Sequence, residues 1–165
     1  MDKINFENLP STNTPINAEN LNQMQDNIEQ AFTLDYITAK LSESTPGITN
    51  AEVIAPLNTI LYSKGNTFSL QADGGIKINK DCNIEINATL RFGYSEVSIK
   101  QTFIYKNSER IANLSQQNMT ATTQSLSAIY LPVKANDIIY LKAKSDLDCT
   151  FVSSGTFLSL KVLPN

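Results

Sequence analysis

Histidine and tryptophan are absent from this chain of 165 residues, and cysteine occurs only twice. Without an imidazole there is no usual general base, no usual zinc ligand and no histidine-dependent triad. Cys82 and Cys149 are too few for a small scaffold held together by disulfides. Charge is sparse too, at 18% of residues against roughly 25% in an average soluble domain. The formal net charge of -3 argues against a nucleic-acid partner, which demands a basic patch to displace counterions from phosphates. No apolar run approaches the roughly 20 residues of a membrane helix, so no membrane insertion is expected. The opening Met1-Asp2-Lys3-Ile4-Asn5 lacks the apolar stretch of a secretory signal. Assembly in a cytoplasm, with both thiols reduced, is the expectation. What is present is a 41% hydrophobic fraction, enough to give one domain a core, with room for a short extension.

The composition changes along the chain. Residues 1–16 are rich in Asn, Ser and Thr, are broken by Pro10 and Pro15, and hold no core of their own. Ile4, Phe6 and Leu9 are spaced to dock elsewhere, so this stretch is either a frayed tail or an adaptor peptide that orders on a neighbouring subunit. Residues 17–42 read as a helix, capped by Asn17 or started by Thr14-Pro15. Leu21, Met24, Ile28 and Ala31 follow in steps of three, four and three, a heptad rhythm. A further three-residue step, which locally overwinds a coiled coil, leads to Leu34, Ile37 and Leu41. At about 1.5 Å per residue the rod is roughly 35 Å long. Its polar face carries Asn20, Asn22, Gln23, Asp26, Asn27 and Gln30. Such a helix is marginal alone. It either packs back on the rest of the chain or meets copies of itself, and the second is expected because no other helix is there to receive the stripe. Residues 43–50, with Pro46 and Gly47, form the expected linker.

Residues 51–165 alternate. Cys82, Ile84, Ile86, Ala88, Leu90 and Phe92 share one side of a strand, with Asn83, Glu85, Asn87, Thr89 and Arg91 on the other. Val97, Ile99, Phe103 and Tyr105 are expected to continue this way up to a turn at Lys106-Asn107-Ser108-Glu109. Further strands are expected at Ser125 to Leu131, stopped by Pro132, at Ile138 to Leu141, at Cys149 to Val152, and through Leu158, Leu160 and Val162. Earlier ones lie around residues 52–62 and 67–70, before a turn at Asp73-Gly74-Gly75. Many short strands with regular turn signals predict an antiparallel sandwich of jelly-roll type. The expected fold is therefore mostly β: a tail and single helix, then a jelly-roll sandwich.

Two resemblances rest on particular residues. Ile4-Asn5-Phe6-Glu7-Asn8-Leu9-Pro10-Ser11, continuing through Thr14-Pro15-Ile16-Asn17-Ala18-Glu19-Asn20-Leu21-Asn22, resembles the opening of virion proteins from phages and prophages of Gram-positive hosts, as found on tail, baseplate and fibre components. It implies a virion location and docking onto other virion proteins through Ile4, Phe6 and Leu9. The β region resembles the jelly roll of tumour necrosis factor and complement heads. The match runs through Gly75-Ile76-Lys77-Ile78, the strand from Cys82 to Phe92, Phe103-Ile104-Tyr105-Lys106-Asn107-Ser108, Ser127 to Leu131, Asn136-Asp137-Ile138-Ile139-Tyr140-Leu141, and Ser154-Gly155-Thr156-Phe157-Leu158-Ser159-Leu160. Asn136 and Ser108 stand where that family usually has Gly. The resemblance implies a homotrimer packed about a threefold axis, with Tyr130, Tyr140 and Phe157 as axis candidates and Leu21, Met24, Ile28, Ala31, Leu34, Ile37 and Leu41 as the seam of a three-stranded coiled-coil stalk. It also places the strands of Cys82 and Cys149 side by side in one sheet, which makes a disulfide conceivable. Assembly of virions in a reducing compartment favours free thiols.

No constellation for catalysis emerges, and neither cofactor nor metal is expected. Asp146 and Asp148 fall in a turn and read as solvated carboxylates, with a surface Ca²⁺ site as the alternative. No phosphate-cradling glycine motif occurs. The sequons at Asn87, Asn113 and Asn118 carry no meaning in a phage protein. Tyr105, Tyr130 and Tyr140 read as core or axis residues. Tyr94, in Gly93-Tyr94-Ser95-Glu96, is the candidate for stacking on a sugar. The functional expectation is a trimeric virion fibre or spike whose knob recognises cell-surface polysaccharide. The alternative is a purely structural head fibre, collar or decoration protein.

Overall fold

The computed structural model describes residues 18–32 and 34–164. Ile4, Phe6, Leu9 and Asn17 lie outside them. The chain divides into two compact units between Leu34 and Asp35. The first contains helix α1 (Ala18–Phe32), with Glu19 in its first turn, where the helix dipole favours an anion. Leu21, Met24, Ile28 and Ala31 all fall within it. Met24 is 56% exposed and Ile28 55%.

The helix is shorter than its spacing predicts. Leu34 lies beyond its end, and Ile37 and Leu41 belong to the sandwich, where both are buried. A four-residue step fits one helical turn or two strand repeats. Ala39, also buried, makes the local period two. The aromatic and β-branched run Tyr36-Ile37-Thr38 favours a strand. The stalk seam therefore loses Leu34, Ile37 and Leu41, and the knob begins at Asp35 instead of residue 51.

The second unit contains β1 (Tyr36–Lys40), β2 (Thr45–Ile48), β3 (Val53–Ile54), β4 (Thr59–Lys64), β5 (Phe68–Leu70), β6 (Ile76–Ile78), β7 (Cys82–Phe92), β8 (Ser98–Lys106), β9 (Glu109–Met119), β10 (Thr122–Val133), β11 (Ile138–Ser145), β12 (Cys149–Phe151) and β13 (Phe157–Val162). Every pairing is antiparallel. One seven-stranded sheet runs β4-β1-β13-β7, with β12 and then β2 beside the end of β7 and β10 along its other side. The six-stranded sheet runs β5-β6-β11-β8-β9, with β3 on β11. This is an antiparallel jelly-roll sandwich. The expected linker is in fact β2, whose Ile48 is fully buried against the core. Pro46 is accommodated because β2 lies at a sheet edge, where a missing N–H is harmless. For the same reason Pro132 does not stop β10, which continues to Val133 at the other edge.

The core is formed by inward rows from both sheets: Ile84, Ile86, Ala88, Leu90 and Phe92 of β7, Leu158 and Leu160 of β13, and Ile139, Leu141 and Ala143 of β11. Strand β8 departs from expectation. Ser98, Lys100, Thr102 and Ile104 face inward, while Val97 is exposed and Ile99 half-buried. A register displaced by one residue turns every side chain over. It is tolerated here because the inward polar groups find partners across the sheets. The Thr102 hydroxyl donates to Gln124 Oε1 at 2.7 Å, and Gln124 Nε2 donates to the Lys100 carbonyl at 2.8 Å.

Candidate functional site

The register gives the sandwich two ends. The chain enters β1 at Asp35, where the Val162 N–H donates to the Asp35 carbonyl and the Leu163 N–H to that of Asn83. This proximal end also holds the starts of β7 and β11. The distal end holds the loop of residues 93–97, the 120–121 turn and the loop of residues 146–148.

Asp35 fixes the proximal end. Its carboxylate accepts the Thr67 hydroxyl, the N–H groups of Asn66 (3.2 Å) and Thr67 (3.1 Å), and Lys80 Nζ at 3.3 Å. Burial alone would raise this carboxyl, but Thr67 and Lys80 outweigh it and hold it below the ordinary range. Gly65 beside it has φ +75°, and a Cβ there would sit 2.0 Å from the Asp35 carboxyl. An open groove of about 600 Å³ lies at this end, with Cys82, Lys106 and Lys134 in its lining. Its carboxylates are engaged in turns: Asp81 accepts the Ala135 N–H, and Asp137 accepts Lys134 N–H and Asn107 Nδ2. The Cys82 and Cys149 thiols are free. They occupy opposite ends of β7, since Cys149 lies beside its last residues. Burial pushes both thiols up, away from the nucleophilic thiolate.

The distal end presents Tyr94, which is 81% exposed, between two buried anchors. The Gly93 N–H donates to the Thr150 carbonyl at 2.7 Å, and its Cα packs so closely that a Cβ would lie 2.9 Å from Thr150 Cβ. The Ser95 N–H donates to the Thr120 carbonyl at 2.8 Å. Beneath them Lys100 is fully buried and donates to the hydroxyls of Ser95 (2.6 Å) and Ser98 (3.0 Å), with Phe92 5.8 Å from its ammonium. Sequence reasoning missed this lysine because it assigned the inward face of β8 to the odd positions. Val97 and Leu147 are exposed at the same end, together with Glu96, Asp146 and Asp148. Asp146 Oδ2 accepts the Ile99 N–H at 3.2 Å. The tip thus combines an aromatic face, short apolar flanks and carboxylates, a set that suits sugar rings and their hydroxyls.

The three expected axis residues do not share a surface. Tyr130, 61% exposed, pairs with Glu85, and Phe157 with Thr89, so both lie on the outer face of the seven-stranded sheet. Tyr140 lies on the outer face of the other sheet, where its hydroxyl donates to Asp73 at 3.0 Å. Burial first, and then Asp73, raise its pKa. Tyr140 thus stands on a different sheet from Tyr130 and Phe157. The seven-stranded face carries hydroxyls and amides at its centre, with Thr38 bonded to Ser159 (2.9 Å) and Thr89 to Ser125 (3.0 Å), beside the Glu85 carboxylate, which accepts from Asn87 Nδ2 (2.8 Å). Ile60, Leu61 and Tyr62 of edge strand β4 are exposed beside it.

No family model matches the chain, and no curated protein matches it in sequence. Its likenesses are structural. Murine APRIL superposes with a TM-score of 0.64 at 11% identity, over 79% of this chain and 99% of that one. Eiger TNF from S. frugiperda gives 0.57 at 13%, over 80% and 92%. Bushbaby GITRL gives 0.54 at 14%, over 80% and 96%. The fold is therefore a jelly roll of the tumour necrosis factor type, and at these identities the likeness defines the fold alone.

Proposed function

We propose that the chain is a trimeric fibre or spike component of a bacteriophage virion, assembled in the cytoplasm of a bacterial host, and that its distal tip recognises cell-surface polysaccharide. The observation that carries this reading is the position of Tyr94. It is the most exposed large apolar side chain among the described residues, and it stands at the end of the sandwich remote from Asp35. A tip that faces away from the point of attachment is where a tethered knob meets another surface. The amino-terminal resemblance to virion proteins supplies the setting. Residues Ile4, Phe6 and Leu9 dock on the particle, and Leu21, Met24, Ile28 and Ala31 pair in the stalk. Tyr130 and Phe157, on the outer face of the seven-stranded sheet, meet the neighbouring knobs. Three tips on one stalk multiply weak single-site contacts.

The test is adsorption of the full chain to host cells. Tyr94→Ala, which removes a side chain that is mostly exposed, is expected to weaken cell binding by about tenfold or more, as expected for an exposed aromatic anchor, with mass and melting temperature unchanged. Equal binding overturns the assignment to Tyr94. Normal adsorption by virions that lack the protein favours the purely structural role.

A further inference from the structure

We propose that the outer face of the β5-β6-β11-β8-β9 sheet is a second contact surface, one that takes a linear, phosphodiester-bearing polymer of the cell wall. The inference rests on the surface-recognition reading and adds a ligand class and a site to it.

The acidity of the chain is concentrated outside the sandwich. Residues 1–34 carry one lysine against five carboxylates, and from Asp35 onward there are twelve cations against eleven carboxylates. Within the sandwich the signs separate further. Glu96, Asp146 and Asp148 crowd the distal loops, whereas the six-stranded sheet turns Lys77, Lys142, Lys144 and Arg110 outward. On β11, Ile139, Leu141 and Ala143 are buried and Lys142 and Lys144 alternate with them. On β6, Lys77 stands between buried Ile76 and Ile78.

The carboxylates of this face are already engaged. Glu52 accepts from the Tyr105 hydroxyl and from Arg110, and Asp73 accepts the Tyr140 hydroxyl at 3.0 Å and the Gly75 N–H at 3.0 Å. Lys77 and Lys144 have no carboxylate partner among the described residues. Two of the cations are held in place by rings: Lys142 Nζ lies 3.9 Å from the centroid of Tyr105, and Arg110 lies 4.5 Å from that of Phe103. Side chains already ordered in this way lose less freedom when a ligand arrives.

The form of the array selects the ligand. Lys142 and Lys144 project from one strand about 6.8 Å apart, on the outer face of the sheet. A row of separated cations suits repeated anions along a chain better than one compact anion. Two rings of this face that could stack on the bases of a single-stranded nucleic acid, Tyr105 and Phe103, are covered by Lys142 and Arg110. A phosphodiester polymer without bases meets the cations and needs no stacking platform.

The experiment measures binding of the full chain to immobilised poly(glycerol phosphate) and to neutral dextran, at low and at physiological salt. Wild type is expected to bind the phosphate polymer over dextran, with affinity falling as salt rises. The triple variant Lys77→Gln, Lys142→Gln, Lys144→Gln is expected to lose about tenfold or more, and the corresponding Lys→Arg triple to retain binding. The single reversal Lys144→Glu provides a folded control and is expected to lower the salt slope by about one or more. Wild-type affinity in the folded glutamine triple or in Lys144→Glu overturns the proposal. So does equal binding to dextran, or tighter binding to duplex DNA of matched charge. Tyr94→Ala is expected to keep its polymer affinity. Its separate readout on cells tests the recognition reading by itself, so a failure of that reading and a failure of the polymer site are told apart.

Discussion

Lys100 is an ammonium buried in a protein core with hydroxyls as its hydrogen-bond partners. A buried charge without a counterion opposes folding, and exchange for an apolar side chain of similar shape is commonly neutral or stabilising. The serines it would leave behind can pair with each other, since Ser98 Oγ already lies 3.3 Å from Ser145 Oγ and 3.5 Å from Ser95 Oγ. Lys100→Met is therefore expected to melt at or above the wild-type temperature. Its distal loop should loosen, with faster amide exchange at Tyr94 and Ser95. A fall in stability of more than about 1 kcal/mol, beyond what a lost hydrogen bond contributes, would mean that the ammonium is a structural necessity. Asp35 is the opposite case, a charge with more partners than it needs. Its carboxyl sits below the ordinary range, so its contribution is complete above the unfolded value of about 3.9 and is lost as the pH falls through and below it. Asp35→Asn is expected to be less stable by about 1–2 kcal/mol at neutral pH, the exposed Lys80 adding little. Its stability should decline less between neutral and acid pH. Denaturant titrations across that range check both.

At the scale of elements, Ile28 and Ile37 both fit the heptad spacing, yet they belong to different structures. Ile37 is 1% exposed in the sandwich core and Ile28 is 55% exposed on α1. Truncating a buried Ile to Ala costs about 2–5 kcal/mol, so Ile37→Ala is expected to lower the melting temperature of the sandwich sharply. Ile28→Asp, alone or with Leu21→Asp, is expected to leave that temperature unchanged and to reduce the oligomeric mass in solution. An unchanged mass in the double variant, measured by light scattering, would remove α1 from any stalk. Strand β8 offers the complementary lesson. Its odd positions are the more apolar set, but the even set faces inward because Gln124, Ser95 and Ser145 are present to receive it.

At the scale of the molecule, the jelly roll sorts its charges by place. The distal loops are acidic, and the outer faces of both sheets carry cations, Lys77, Lys142, Lys144 and Arg110 on the six-stranded one and Lys40, Arg91 and Lys161 on the seven-stranded one, where Glu85 stands opposite Lys161. One net charge for the chain conceals this, and the low overall value that speaks against polyanions in the sequence is contributed mainly by residues 1–34. The three expected trimer contacts split in the same manner: Tyr130 and Phe157 share one sheet, and Tyr140 stands on the other.

The alternation from Cys82 to Phe92, the turns at Asn107 and Asp137, the closing strand and the exposed Tyr94 loop were all legible in the chain, because period two and turn chemistry are local properties. The end of the helix, the inclusion of residues 35–50 in the sandwich and the inward turn of Lys100 were not. A spacing of four serves helix and strand equally, and a polar side chain is admitted to a core only when distant residues supply its hydrogen bonds. Those partners are assembled by the packing of two sheets, which no single segment encodes.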